Sequence, residues 1–246
     1  MDIRYTKFEE ADVEKYCMGA GIIPVSINNT TKEPYLLLGR ERWVPMWKGS
    51  CRWSGFEGSR KSFESVLASA SREFKEECLA VFPEAENKVL RGEHWFRVVL
   101  SVLSPDKNGT RFHATYVVLV DWDATIPSQF QKQRKGIEKL DAVVQEWKYR
   151  SKKEEGSVLH LKDRVEKYII THPCVTVERE EVSGDLEDVR IHKDYLEKDQ
   201  IRWWSASDLN TVLLNKGSHD TERFRPYFLP VLKTILVEIE KRLAPS

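Results

Sequence analysis

Apolar and polar positions along this chain group into short extended runs followed by longer helical ones. Residues 20–27 (AGIIPVSI) and 35–42 (YLLLGRER) are apolar runs separated by the polar stretch 28–34, and they predict two strands joined by a turn. Residues 94–103 and 112–122 predict two further strands, with Pro105, Asn108 and Gly109 supplying the turn at 104–109. A short strand is expected at 201–205 around Trp203 and Trp204, followed by a helix start at Ala206. From Arg223 to Leu243 the recurrence of Phe228, Val231, Leu232, Ile235 and Ile239 predicts a closing helix with one buried side. Residues 128–172 read as helical too. Ile137, Leu140, Val144 and Trp147 form one stripe, Leu161, Val165, Tyr168 and Ile169 a second, and the region around Lys152, Lys153 and Gly156 forms the break between them.

The densest chemistry lies between these runs. Residues 58–80 read G-x5-E-x7-R-E-F-x-E-E-x-L-A, with Gly58, Glu64, Arg72, Glu73, Glu76 and Glu77 at the fixed positions. On an α-helix, which turns by about 100° per residue, Glu73, Glu76 and Glu77 fall within a sector of about 100°. Phe63, Val66, Leu67, Ala70, Phe74 and Cys78 occupy the neighbouring sector at the spacing of a buried face. Three carboxylates held this close repel one another. A divalent cation would offset that repulsion, and a set of oxygen-only donors suits Mg²⁺ or Mn²⁺. An acidic, solvated helix end is the plain alternative for Glu73, Glu76 and Glu77 taken alone.

This pattern resembles the Nudix box, G-x5-E-x7-R-E-U-x-E-E-x-G-U with U a bulky aliphatic residue. Leu79 stands in place of the last glycine, small Ala80 in place of a larger aliphatic, and Phe74 where Ile or Leu is common. The resemblance implies an α+β fold, a Nudix-type mixed β-sheet sandwiched between helices, here as a single domain over residues 1–246 with a helical insertion at 128–172. It implies hydrolysis of a phosphoanhydride bond in a nucleoside diphosphate linked to another moiety, with Mg²⁺ or Mn²⁺ bound. Glu73, Glu76 and Glu77 match the metal-binding carboxylates, and the Gly58 carbonyl matches a further ligand. The residue matching Glu73 also serves as general base in some members, an acid outside the box in others. Arg72 and Glu64 match positions that brace the loop and helix through ion pairing. A non-catalytic Nudix-fold module that binds nucleotides or RNA is the alternative; such modules typically lose box carboxylates, and this chain keeps them all.

The approach to the box departs from the usual W-x-x-P-G-G and reads Trp53-Ser54-Gly55-Phe56-Glu57-Gly58. Glu57 reads as a solvent-facing turn residue, with a fourth acid at the metal site as the other reading. Losing the glycine at Leu79 calls for a different helix ending. Arg40, Arg42, Trp43 and Trp47 are candidates for substrate binding, through guanidinium–phosphate pairing and base stacking, with Arg52 a further phosphate-binding arginine. Glu197 is the first candidate for an extra acid, ahead of Glu181 and Glu187. His94, His160 and His192 show no ligand spacing and read as structural.

Composition narrows the class without choosing the substrate. The 246 residues carry 39 Lys and Arg against 39 Asp and Glu, so no global field recruits nucleic acid or membrane. The charge is uneven locally: residues 131–153 hold eight bases and three acids, and residues 178–199 nine acids and four bases. The basic stretch is either a solvated helix face or a grip for polyphosphate or RNA. Cys17, Cys51, Cys78 and Cys174 make no C-x-x-C pair and read as reduced thiols, which with a polar N-terminus and no membrane-length apolar run points to a cytoplasmic protein. The expected partner is a nucleotide-type small molecule, with capped RNA among the candidates.

Overall fold

The computed structural model describes residues 10–103, 110–151, 177–180, 188–191, 193–214 and 223–244. The helices are α1 (Glu10–Tyr16), α2 (Val66–Glu77), α3 (Pro83–Leu90), α4 (Ile126–Ser151), α5 (Ala206–Leu214) and α6 (Phe228–Leu243), with a 3-10 turn at Lys193–Leu196. The strands are β1 (Cys17–Ile27), β2 (Pro34–Glu41), β3 (Trp53–Ser54), β4 (Phe56–Ser59), β5 (Phe96–Leu103), β6 (Thr110–Leu119), β7 (Val177–Glu180), β8 (Asp188–Ile191) and β9 (Lys198–Ser205). The expected turn at 104–109, the second stripe at 161–169 and the break at Gly156 lie outside the described residues.

Seven strands make one mixed sheet. Its path runs β3-β2-β1-β6-β5, while β4 pairs with β1 and β9 with β2. The long β1 organises it: parallel to β6 over most of its length, β1 is antiparallel to β2 at Val25–Ile27 and to β4 at Gly19–Ile22. Strand side chains alternate between faces, and two cores follow. Ile22, Leu37, Phe56 and Tyr116 face the layer of α2, α3 and α4, whereas Ile23, Leu36, Leu38 and Trp204 face α5 and α6. The architecture is therefore α+β, a mixed sheet with helices on both sides, as the sequence predicts. β7 and β8 form a separate two-stranded ribbon.

Several expected boundaries move, each for a local reason. The closing helix begins at Phe228 rather than Arg223, because Pro226 disfavours helical backbone at Arg225. Phe224 instead bridges Trp53, and the Arg225 N–H donates to the Trp53 carbonyl at 3.0 Å. β9 begins at Lys198, three residues before the apolar run, since pairing with β2 continues through the polar residues Lys198 to Gln200. Phe63 does not join the buried face of α2. It precedes the Ser65 N-cap, whose hydroxyl accepts the Ala68 N–H, and it is 84% exposed. The apolar face starts at Val66 and continues through Ala70, Phe74 and Cys78.

Helix α4 belongs to the core in its first half. Ile126, Phe130, Ile137 and Leu140 are buried with the α2 layer. Gln131 donates to the Asp199 carbonyl at 2.9 Å, and Arg134 donates to the carbonyl of Lys198. The helix thus buttresses the start of β9. The side chains of Val144 and Trp147 lie outside the described set.

Candidate functional site

Helix α2 ends where glycine is expected, yet keeps the geometry glycine would give. Leu79 and Ala80 both adopt positive φ, 56° and 52°. The Ala80 N–H donates to the Lys75 carbonyl and the Leu79 N–H to Glu76, a Schellman ending. The Leu79 side chain is buried, so its packing offsets the left-handed backbone. No alternative helix ending is needed.

Arg72 ties the carboxylates of this helix to the loop before it. Its Nε is 2.6 Å from Glu64 Oε1, and a second nitrogen donates to Glu64 Oε2 at 3.1 Å and to the Ser59 carbonyl at 2.9 Å. The third nitrogen lies 2.8 Å from Glu73 and 2.9 Å from Glu76. Glu73 presses against Gly58 so closely that a Cβ there would sit 2.2 Å from Oε2. Burial pushes the Glu73 carboxyl up to about 7, opposed by Arg72 and reinforced by Glu76 and Glu197. Arg72 holds Glu64 below the usual carboxylate range.

A second cluster sits behind the first. Lys198 is buried, with Nζ 2.6 Å from Glu41 Oε1, 2.9 Å from Ser54 Oγ and 3.2 Å from Glu77 Oε1. Burial pulls its pKa down, but Glu77 and Glu41 outweigh that and hold it above its ordinary value. Glu77 Oε2 accepts the Glu57 N–H at 2.7 Å, and Arg225 reaches Glu41 at 3.0 Å.

Glu57 is not the solvent-facing residue that its turn-like setting suggests. It belongs to β4, is 7% exposed, and accepts the Tyr227 hydroxyl at 2.5 Å. Its other oxygen has no hydrogen-bond donor among the described residues and lies 3.5 Å from His113 Nδ1. Burial, then the Glu57 carboxylate, raises the Tyr227 phenol well above its ordinary value, so it remains a donor.

These groups line a cleft of about 1060 Å³. Its lining includes Gly58, Glu73, Arg72 and Glu57 together with Arg42, Trp47, Glu197, Arg225 and Tyr227. Trp47 faces the Arg225 guanidinium at 5.4 Å. The structure therefore brings Gly58, Arg72, Glu73, Arg42, Trp47 and Glu197 to one cavity. It does not bring Arg40 or Trp43 there: Arg40 is paired with Asp199 at 2.7 Å, and Trp43 is 68% exposed on the surrounding loop. Glu64 and Glu76 reach the cleft through Arg72, and Glu77 lies behind it with Lys198. Glu181, Glu187, His160 and His192 lie outside the described residues. No described residue of α4 lines the cleft.

Pattern reading missed Glu41, Lys198, Arg225, Tyr227 and His113. Each comes from a segment remote from the box, and none has a spacing signal. Among the described residues, no three Asp, Glu, His or Cys side chains are already arranged around a metal-sized point. No described helix is long and apolar enough to cross a membrane.

No family model matches the chain, and no curated protein sequence matches it. Solved structures that resemble it include Nudix proteins. A Nudix hydrolase from M. smegmatis, RenU, is 10% identical over 92% of this chain and 88% of its own, with a TM-score of 0.44. The NUDIX domain of Shewanella oneidensis NrtR, complexed with ADP ribose, is 9% identical over 97% and 95%, with a TM-score of 0.42. A bifunctional NMN adenylyltransferase/ADP ribose pyrophosphatase from Francisella tularensis, complexed with AMP and a Mn ion, is 11% identical over 91% and 42%, with a TM-score of 0.39.

Proposed function

We propose that this chain is a Nudix-type, divalent-cation-dependent hydrolase of phosphoanhydride bonds in nucleoside diphosphates linked to another group. One observation carries the reading. Glu73 is buried at the wall of a large cleft, pressed on Gly58, with its carboxyl raised to about 7 by burial and by neighbouring acids. Such a group is short of positive charge, and a divalent ion beside it supplies what Arg72 alone does not. The Glu73 and Glu76 carboxylates and the Gly58 carbonyl offer the hard oxygen donors that Mg²⁺ or Mn²⁺ prefers. When bound, the ion offsets charge on the pyrophosphate oxygens and lowers the pKa of attacking water.

The chain's own residues supply the rest. Arg72 fixes the spacing of Glu64, Glu73 and Glu76, so the acids stay in place when the cleft is empty. Arg42 and Arg111 line the cleft with no ion-pair partner among the described residues, and Lys61 lines it beside Glu64, so these cations are placed to meet phosphate oxygens. Glu73, at the wall of the cleft, is placed to take a proton from water held there. Trp47 offers an indole face beside Arg225 for a base.

The deciding experiment is a hydrolysis panel with Mg²⁺ and Mn²⁺ over nucleotide sugars, ADP-ribose, dinucleoside polyphosphates, NADH, nucleoside triphosphates and capped RNA. Turnover of one class, abolished in Glu73→Gln, is the expected result. Silence across the panel from folded protein, with nucleotide binding retained, makes the chain a binding module.

A further inference from the structure

Lys198 is fully buried beside the cleft, and nothing in the box pattern calls for it. Its stem lies over Gly39, where a Cβ would meet Lys198 Cδ at 3.0 Å, so the glycine leaves room for the chain to reach inward. An ammonium has three N–H groups. Here two oxygens accept from it, Glu41 at 2.6 Å and Ser54 at 2.9 Å, and Glu77 Oε1 is ion-paired with it at 3.2 Å. The second oxygen of Glu77 is held by the backbone N–H of Glu57 at 2.7 Å. One Glu77 oxygen is thus committed to a backbone donor and the other to the ion pair with Lys198. An added cation on this carboxylate would also face the ammonium a few ångströms away, in a buried setting where like charges repel strongly. Glu73 differs: its one ion-pair partner among the described residues, Arg72, is shared with Glu64 and Glu76, and it borders the cleft.

We propose that Lys198 is a built-in counter-cation that keeps Glu77 in the scaffold, leaving Gly58 and Glu73, which line the cleft, as the side of the cluster open to a divalent ion, with Glu76 beside them on Arg72. Glu77 is then a positioning residue. Through the Glu57 N–H it fixes β4, and with it the place of Gly58 against Glu73. This rests on the metal-dependent reading above and departs from it in one respect, since the box resemblance makes Glu77 a direct ligand.

The test is Mn²⁺ binding to the full chain without substrate, followed by titration calorimetry and by the EPR signal of free Mn²⁺. Glu73→Gln is expected to weaken binding by about thirtyfold or more, and Glu77→Gln, which still accepts the Glu57 N–H, by less than about fivefold. Lys198→Met is expected to lower Tm, and adding Glu77→Gln to it to recover more than half of the loss, because the stranded carboxylate is removed. Glu77→Gln weakening Mn²⁺ as much as Glu73→Gln overturns the proposal, as does a Tm unmoved by Lys198→Met. If Lys198→Met does not fold, the Glu77→Gln comparison decides alone. A folded wild-type protein that binds no Mn²⁺ and hydrolyses nothing in the panel brings down the metal-dependent reading itself, an outcome distinct from equal losses in the two glutamate variants.

Discussion

Two cation–carboxylate clusters meet at the Glu57–Gly58 backbone, one through Glu77 and one through Glu73, built from the same chemistry and left in opposite states. In one, Lys198 is sealed from water, donates to Glu41 and Ser54 and is ion-paired with Glu77. In the other, Arg72 spreads one guanidinium over three carboxylates at the wall of a cleft. A closed, matched cluster resists change and holds geometry. An open one with surplus negative charge is unfinished until a ligand arrives. The distinction follows from dielectric and stoichiometry: burial makes any mismatch costly, so the buried cluster is matched, while the cleft leaves room for a mismatch that a mobile cation can correct.

The largest expected effect breaks the closed side. Lys198→Met strands Glu77 without its counter-ion and should destabilise the fold by about 3–5 kcal/mol, read by urea unfolding. A loss under about 1 kcal/mol would mean that the buried cluster is not matched in the way described.

Gly58→Ala strikes the seam between the clusters. A methyl group there meets the Glu73 carboxylate at 2.2 Å, so the acid must move. We expect a stability cost of about 1–3 kcal/mol and at least a tenfold fall in kcat/KM for whatever substrate the panel finds, about 1.4 kcal/mol of transition-state stabilisation. An active, equally stable variant would separate Gly58 from the site.

The open cluster should show itself in pH dependence. Glu73 has a folded pKa near 7, above its unfolded value, so the neutral acid favours the folded state. Its contribution is fully present below the unfolded pKa, near 4.5, and is lost as pH rises through about 7. Metal-free protein should therefore lose on the order of 2 kcal/mol of stability between about pH 5 and pH 8, allowing for water in the cleft. Mn²⁺ should flatten that slope, and so should Glu73→Gln. Thermal melts across the range, with and without the ion, check both.

The smallest effect concerns the end of α2. Ala80→Gly removes a left-handed penalty at φ 52° and should stabilise by about 0.5 kcal/mol, with activity unchanged. Leu79→Gly should instead destabilise by about 2 kcal/mol or more, because the buried side chain is lost. Comparing the two separates backbone strain from packing at the position where the box pattern has glycine.

Much of the frame was legible in the sequence because it is written in local periodicity. The four main strands, the box helix and the closing helix all follow from apolar spacing over a few residues. Misreadings arose where a neighbour in space decided. Phe63 continues the helical phase of Val66 and Ala70 on paper, yet the Ser65 N-cap starts the helix only after it. Glu57 looks like a surface turn residue until β4 pairs with β1 and Tyr227 arrives from the far end of the chain. Helix α3 went unread because its eight residues are too short and polar to carry a clear stripe.

By itself the sequence determined the mixed α+β class and the presence of three carboxylates on one helix with an arginine and a glutamate in register. Those are properties of helical and extended spacing, which a chain carries wherever it goes. Only the tertiary structure decided how each carboxylate is used. Lys198, 121 positions beyond Glu77, reaches it because β9 pairs with β2, and that sheet register gives Glu77 a cation while leaving Glu73 at the cleft. Charge compensation in a folded protein depends on distance through space and on burial, and neither is written in the local spacing of residues.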